Sequence, residues 1–125
     1  MSDIAPARSF VADLASPLPP TVVDRVERAD AAMAAVRFDG LLAITNATML
    51  RRLGFHEGDD LRGLPVASMW HHQERPAVLS ALRRAQRDGR ATLELDLGYI
   101  TDAPAPCEMT FEAVEGRVLL ATLDC

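Results

Sequence analysis

The stretch from Met69 to Pro76, with the sequence MWHHQERP, contains side chains that could bind a metal ion or transfer protons. It places the only Trp beside His71 and His72, with a Glu two positions later. Imidazoles of this kind bind metal ions or transfer protons. Adjacent residues seldom point at one ion, however, and on a helix two ligands would be four positions apart. Because the third histidine, His56, lies in a separate loop, we predict no metal site.

General acid–base catalysis is a second chemistry that the sequence offers. A small cone-shaped α+β enzyme of the ketosteroid-isomerase-like type could use a buried Asp96 with Tyr99. Strand alternation puts Asp96 on the opposite face from Tyr99, which argues against a shared pocket. We therefore predict that this domain is not itself an enzyme and has no catalytic residues.

Thiol chemistry is the third possibility. Cys107 and Cys125 lie far apart in the sequence. Two thiols without a Cys-x-x-Cys spacing indicate neither a metal cluster nor a disulfide framework. We expect both to be reduced, in a cytoplasmic protein.

Length and charge narrow the classes of function. The chain has 125 residues, which fits one domain, and 49% of them are hydrophobic. The net charge of −5 provides no field that would attract nucleic acid or an anionic membrane. No apolar run approaches 18 residues, so the sequence predicts no membrane span.

The N-terminal part reads as an arm followed by a helix. Residues 1–20 end in Pro-Leu-Pro-Pro and are expected to form a flexible arm or linker. Residues 21–36 are expected to form an amphipathic helix of the dimerisation type, with apolar residues spaced 4, 3, 4 and 3 as in a heptad seam. The residues of this candidate dimer interface are Val22, Val26, Ala29, Met33 and Val36. The seam could pair with a second copy of the chain or pack on its own domain, and both readings stay open.

Local signals place the elements of the middle segment. Asp39-Gly40 between apolar runs predicts a β-hairpin. Asn46 is a good helix N-cap, and Gly54 a good stop after the short helix that follows. A second helix is predicted for Glu74–Asp88, with Gly89 ending it.

The last third of the chain is predicted to be β-structure. Apolar and polar residues alternate over 93–99 and 109–113, a tight turn follows at 114–117, and an apolar strand ends near residue 123. Strands in series with short turns predict an antiparallel meander. The fold class is therefore α+β, with helices covering one face of a five-stranded antiparallel sheet.

Several short motifs, in this order and spacing, resemble the PAS domain, a sensory fold of bacterial signalling proteins. The motifs are Phe38–Gly40 with Ile44–Ala47, Leu53–Phe55, Asp60–Pro65, Trp70–Arg75, Glu115–Val118 and Leu123–Asp124. The resemblance covers residues 37–125 as the PAS domain, with the preceding helix as a common extension. In the family the His of the fourth motif is a structural feature at a helix start, and His71 matches it.

The resemblance implies a function in signal transduction. We expect an N-terminal regulatory module of a larger protein, such as a histidine kinase, a cyclase or a transcription regulator. It would act through a ligand- or partner-dependent change in a homodimer and pass a signal to an output domain or partner protein. The alternative is a pure protein–protein interaction or dimerisation module without a ligand.

A small-molecule pocket between sheet and helices is the candidate binding site. Its expected lining is Phe55, Met69, Trp70, Leu79, Leu82, Tyr99, Met109 and Phe111. The same residues would also serve in an ordinary filled core.

The ligand is unknown, although neither heme nor flavin is expected. Heme-binding PAS sensors carry an axial His in or beside the long helix, and residues 74–88 contain none. Light-sensing members carry an Asn-Cys-Arg-Phe motif that this chain lacks.

Overall fold

The computed structural model describes residues 18–98 and 105–125. The residues expected to form the flexible arm lie almost entirely outside this part. In chain order the elements are α1 (Pro20–Arg28), β1 (Ala32–Arg37), β2 (Leu42–Thr45), α2 (Ala47–Arg52), a 3₁₀ helix (Val66–Met69), α3 (Arg75–Asp88), β3 (Arg90–Asp96), β4 (Pro106–Val114) and β5 (Val118–Asp124).

The five strands form one antiparallel sheet in the order β2-β1-β5-β4-β3. The predicted sheet and its C-terminal meander are thereby confirmed. β5 is the central strand and pairs with β1 on one side and β4 on the other. Its sequence VLLATL is nearly continuous in apolar residues, which is typical of a strand covered on both faces.

The two faces of the sheet are covered differently. The inner face packs against α2, the 3₁₀ helix and α3, with Phe111, Leu119 and Trp70 in the main core. The outer face is covered by α1, whose Val22 and Val26 pack among apolar side chains of β1, β2 and β5. The outer side of β3 and β4 is mostly polar instead, although Val114 at the end of β4 packs against the outer cluster.

The predicted helix over residues 21–36 is wrong in its second half. α1 ends at Arg28, because Ala29 adopts extended backbone angles (φ −68°, ψ 136°). Met33 and Val36 lie on β1 and point to opposite faces of the sheet. A 4-3-4-3 spacing describes a seam only while the chain stays helical, and here a strand takes over the last two positions.

The candidate dimer interface on α1 is likewise buried within its own domain. Val22 is 2% exposed and Val26 fully buried in a single copy of the chain. Polar contacts add to this packing. The Thr21 hydroxyl donates a hydrogen bond to the Glu115 carboxylate, and a guanidinium nitrogen of Arg25 lies 3.5 Å from a carboxylate oxygen of Glu112. Of the two open readings, packing on its own domain is therefore the one that this structure contains.

Short-range sequence signals correspond well with the turns and caps. The Asn46 side chain accepts a hydrogen bond from the backbone N–H of Met49 at 2.8 Å, as an N-cap should. Gly89 ends α3 in the left-handed conformation with φ 92°, which glycine adopts without strain. Asp39-Gly40 forms the predicted turn between β1 and β2.

The helices of the described residues were also compared with the length of a membrane span. Within 18–98 and 105–125, none is both long and apolar enough to cross a bilayer.

Candidate functional site

A small cavity lies between the inner face of the sheet and its helical cover, with a volume of about 10 Å³. Its lining residues come from β1, β2, α2, the 3₁₀ helix and the central strands. They are Ala34, Leu42, Thr45, Met49, Leu53, Val66, Met69, Trp70, Met109 and Ala121. Ten cubic ångströms is about the space of one water molecule, whereas drug-sized ligands occupy pockets of ~300–1,000 Å³. In this conformation the core is therefore almost filled.

Three of the predicted pocket residues meet at this cavity. Met69 and Trp70 approach it from the helical cover and Met109 from β4. Phe111 is fully buried in the main core and Phe55 packs against that core, but neither lines the cavity. Tyr99 lies outside the described residues.

The assignment of Leu79 to the pocket is wrong. Leu79 is 42% exposed and, with Leu82, lines a shallow surface groove beside Phe38. The buried stripe of α3 consists of Val78, Ala81, Leu82 and Ala85. Leu79 is rotated by about 100° from Val78 along the helix and so falls at the edge of that stripe.

Sequence reasoning missed the lining residues on β1, β2 and α2. Ala34 and Ala121 face each other across β1 and β5, and their small side chains leave space that larger residues would fill. Met49 and Leu53 are spaced four apart on the short helix after Asn46. That spacing was a usable signal for one apolar helix face.

Trp70 lines the cavity and carries a side-chain N–H, and Thr45 lines it with a hydroxyl group, although the surface that the cavity exposes is apolar. Trp70 is 2% exposed, and its indole Nε1 has no hydrogen-bond partner among the described residues. Its backbone carbonyl accepts a hydrogen bond from Arg75 Nε at 3.0 Å, which fixes the main chain at this point. A buried donor without a partner costs ~1–3 kcal/mol. A residue that lines this cavity thus carries a buried N–H without a partner among the described residues.

Asn46 connects the cavity-lining helix α2 to α1 on the other side of the sheet. Its side-chain oxygen accepts hydrogen bonds from the backbone of Met49 and Met33, at 2.8 and 3.2 Å. Its amide nitrogen lies 3.1 Å from the carbonyl of Val26 and 2.9 Å from that of Ala31. The residue is 8% exposed. A buried amide with this many partners fixes the relative positions of the segments it joins.

Glu74 connects the start of α3 to the end of β3. Its Oε1 accepts a hydrogen bond from the backbone N–H of Asp96 at 2.8 Å, and its Oε2 is buried without a partner. The Asp96 carboxylate in turn accepts hydrogen bonds from the backbone of Ala105 and Gly98. These two bonds, that of Ala105 first, lower the pKa of Asp96.

Asp96 does not have the surroundings of a general base. A general base with a raised pKa would need a buried carboxylate, but Asp96 is exposed and its pKa is lowered. Its hydrogen bonds are made with the backbone N–H groups of Gly98 and Ala105. Tyr99, the other member of the pair, lies outside the described residues.

The two adjacent histidines mark the start of α3. Their rings lie 4.2 Å apart between centroids. His71 Nδ1 accepts a hydrogen bond from the backbone of Gln73 at 3.2 Å, and its carbonyl accepts one from Glu74. Among residues 18–98 and 105–125, no group of three His, Cys, Asp or Glu residues is placed to hold a metal ion.

The prediction of two unpaired thiols is wrong. Cys107 and Cys125 form a disulfide that links the start of β4 to the residue after β5. The reason is strand register: Glu108 pairs with Asp124, so the next rung brings Cys107 opposite Cys125. Register of this kind cannot be inferred from the spacing of two cysteines.

A flavin does not fit this site. The thiol that forms the adduct in light-sensing PAS domains precedes the long helix, whereas Cys107 here lies on β4 and Cys125 directly follows β5. A cavity of about 10 Å³ is also far smaller than a flavin ring system.

Comparison with solved structures shows that the fold is that of PAS domains. No protein-family model and no curated protein matches the chain. Among solved structures, it is similar to the PAS domain of a protein from Colwellia psychrerythraea, with a TM-score of 0.64 and 15% identity, over 84% of this chain and 94% of that one. It is also similar to a domain of the sensory box sensor histidine kinase/response regulator from Geobacter sulfurreducens, with a TM-score of 0.65 and 11% identity. That match covers 84% of this chain and 91% of the other.

A longer protein shares the same fold in part. An RNA-binding light-oxygen-voltage receptor matches with a TM-score of 0.62 and 18% identity, over 77% of this chain. The chain spans 28% of that receptor's length.

Proposed function

We propose that this chain, which has the PAS fold, is a sensory signal-transduction domain and a regulatory module of a larger signalling protein. A histidine kinase, a cyclase and a transcription regulator are the proposed classes of that protein. The likeness to a sensor histidine kinase/response regulator domain supports a signalling role. One fold serves many functions, so the residues of the site have to indicate which function a chain performs.

The observation that carries the proposal is the unpartnered indole N–H of Trp70, a residue that lines the cavity. A ligand that displaces part of the cavity wall and brings a hydrogen-bond acceptor to this donor would remove the cost of burying it, and it would gain apolar contacts from Met69 and Met109. The proposed ligand is therefore a small, mainly apolar molecule with one acceptor.

The signal would pass from the cavity through α2 to α1. A ligand larger than one water has to displace part of the helical cover, in which Met49 and Leu53 lie against the cavity. Asn46 caps the same helix and donates hydrogen bonds to the carbonyls of Val26 and Ala31. Displacement of α2 would therefore disturb the attachment of α1. A ligand shifts this equilibrium only by its difference in affinity for the two arrangements.

The test uses the fact that Trp70 is the only Trp of the chain. Its indole N–H gives a single resonance in a ¹⁵N–¹H spectrum, which reports on the cavity directly. We expect native mass spectrometry of the purified protein to detect a retained small molecule, and removal of that molecule to shift the indole resonance. Trp70→Phe keeps an aromatic ring without the donor and should weaken retention. Ligand sensing would be overturned if the purified chain retained no small molecule and its indole resonance did not change on addition of a library of small molecules with hydrogen-bond acceptors.

A second candidate function is an interaction or dimerisation module without a ligand, and the almost filled core favours it. A homodimer remains part of both proposals, but its interface would use a surface other than Val22 and Val26, which are buried in one copy. Sedimentation of the wild-type chain over a range of concentrations tests this. A dimer whose mass includes no bound small molecule would support the interaction module. A monomer without a bound molecule at every concentration would contradict it.

A further inference from the structure

The disulfide lies at one end of the β4–β5 ladder, and the turn at residues 115–117 lies at the other. Cys107 is 5% exposed and belongs to the main core, whereas Cys125 is an exposed residue. The neighbouring inner rung pairs Met109 with Leu123. Met109 also lines the small cavity. The bond is therefore one inner rung away from the cavity wall.

The outer face of the same end of the sheet carries a row of three carboxylates. Glu94 of β3 pairs with Glu108 of β4, which pairs with Asp124 of β5. All three residues are exposed. Like charges directly opposite each other on neighbouring strands are destabilising. At this end of the ladder the covalent bond thus opposes a repulsion that would otherwise separate the strand ends.

We infer that Cys107 and Cys125 form a reversible redox site, reduced by a dithiol, whose state controls the order of this end of β4 and β5. In the oxidised form the bond holds the two strands together against the carboxylate row. In the reduced form the strand ends separate more often, and the wall at Met109 becomes more mobile. This inference goes beyond the proposed function and does not depend on any ligand.

The exchange reaction is balanced by the dithiol itself. One thiolate of the dithiol attacks Sγ of Cys125, since Cys125 is the exposed member of the pair. A bond forms between those two sulfurs, the Cys107–Cys125 bond breaks, and the electron pair leaves on Sγ of Cys107, which takes a proton from water. The second thiol then attacks the first sulfur of the dithiol and expels the Cys125 thiolate. The dithiol is oxidised to a disulfide, and the protein gains two electrons and two protons.

The experiment compares the oxidised chain with the chain after treatment with dithiothreitol. An alkylating maleimide should add to neither cysteine before reduction, and to Cys125 faster than to Cys107 afterwards. Oxidised glutathione should restore an unreactive monomer. Amide hydrogen exchange near Met109 and Leu123 should become at least about tenfold faster on reduction. That factor is equivalent to a decrease of about 1.4 kcal/mol in the free energy of local opening. Amides at the other end of the ladder, near Ala113 and Leu119, serve as the internal control and should change much less.

Two variants keep the inference falsifiable. Cys125→Ser should reproduce the fast exchange of the reduced form and no longer respond to dithiothreitol. Glu108→Gln removes the middle charge of the carboxylate row and should make the effect of reduction smaller. The inference is overturned if the chain purified without reductant reacts with maleimide at both thiols, if only disulfides between chains form, or if reduction leaves exchange near Met109 and Leu123 unchanged.

Discussion

The carboxylate oxygen Oε1 of Glu74 lies 2.8 Å from the backbone nitrogen of Asp96, so the residue before α3 is tied to the last residue of β3. The two residues are 22 positions apart in sequence. This bond holds the start of the long helix over the edge of the sheet, next to the turn that contains Trp70.

Removing this connection should destabilise the fold moderately. We expect Glu74→Ala to lower the free energy of unfolding by ~1–2 kcal/mol, because the Asp96 N–H loses its partner. Glu74→Gln is the matched control: it keeps an oxygen for Asp96 and replaces the partnerless Oε2 with an amide group. Urea denaturation measures both. An alanine variant as stable as the glutamine variant would contradict the role of this bond.

Asn46 should be among the most sensitive polar positions of the chain. We expect Asn46→Ala to cost ~2–4 kcal/mol, since it removes the cap of α2 and leaves several buried backbone groups without partners.

Asn46→Ser separates the two roles of this residue. Serine can cap α2 but cannot reach the carbonyls of Val26 and Ala31. Hydrogen exchange should then be faster in α1 than in α2. Equal exchange in both helices would show that the amide group does not hold α1 in place.

Leu82 and Leu79 form a matched pair on α3. Leu82 is 4% exposed and Leu79 is 42% exposed. We expect Leu82→Ala to reduce the free energy of unfolding by ~2–4 kcal/mol because a buried side chain is lost. Leu79→Ala should change it by less than ~1 kcal/mol. Thermal denaturation of the two variants would check the difference, and equal losses would mean that Leu79 is buried in solution.

The Asp60–Arg62 pair should produce a pH-dependent signal in acid. Hydrogen bonds from the Arg62 side chain, followed by that from its backbone, lower the pKa of Asp60 from 3.8 to about 2. Because the pKa is lowered in the folded state, the pair stabilises the fold above the ordinary pKa. That contribution is lost as the pH falls towards 2. The pair is fully exposed, so the effect on stability should be small and weaken with salt.

An NMR titration of the Asp60 carboxyl carbon tests this directly. In Arg62→Gln the pKa should rise towards 3.8. Arg52→Gln removes the same charge from α2 and should leave the titration of Asp60 unchanged. A pKa that is insensitive to Arg62 would show that the ion pair does not persist in solution.

Local signals in the sequence predicted much of the fold. Asn46, Gly54, Gly89 and the Asp39-Gly40 turn each act over a few residues, through caps and backbone angles that depend on residue type. The alternation along β3 and β4 likewise depends only on which side chains face the core. These features could be read without knowledge of the three-dimensional structure.

The errors concern relationships between distant segments. The apolar spacing from Val22 to Val36 fits a heptad seam, but pairing of β1 with β5 converts its second half into a strand. The Cys107–Cys125 bond depends on the register between β4 and β5. The size of the cavity depends on how Ala34, Met49 and Trp70 meet. Tertiary packing determines the strand, the disulfide and the size of the cavity, and the patterns of a single sequence do not contain information on that packing.

The bond between Cys107 and Cys125 makes residues 107–125 a closed covalent loop. The exposed residues at its tip, Glu115, Gly116 and Arg117, are accessible to proteases. A cut there would leave both fragments joined through sulfur, so the nicked chain would run as one band on a denaturing gel without reductant and as two bands with it. The banding pattern would therefore show whether the disulfide is present in the nicked chain.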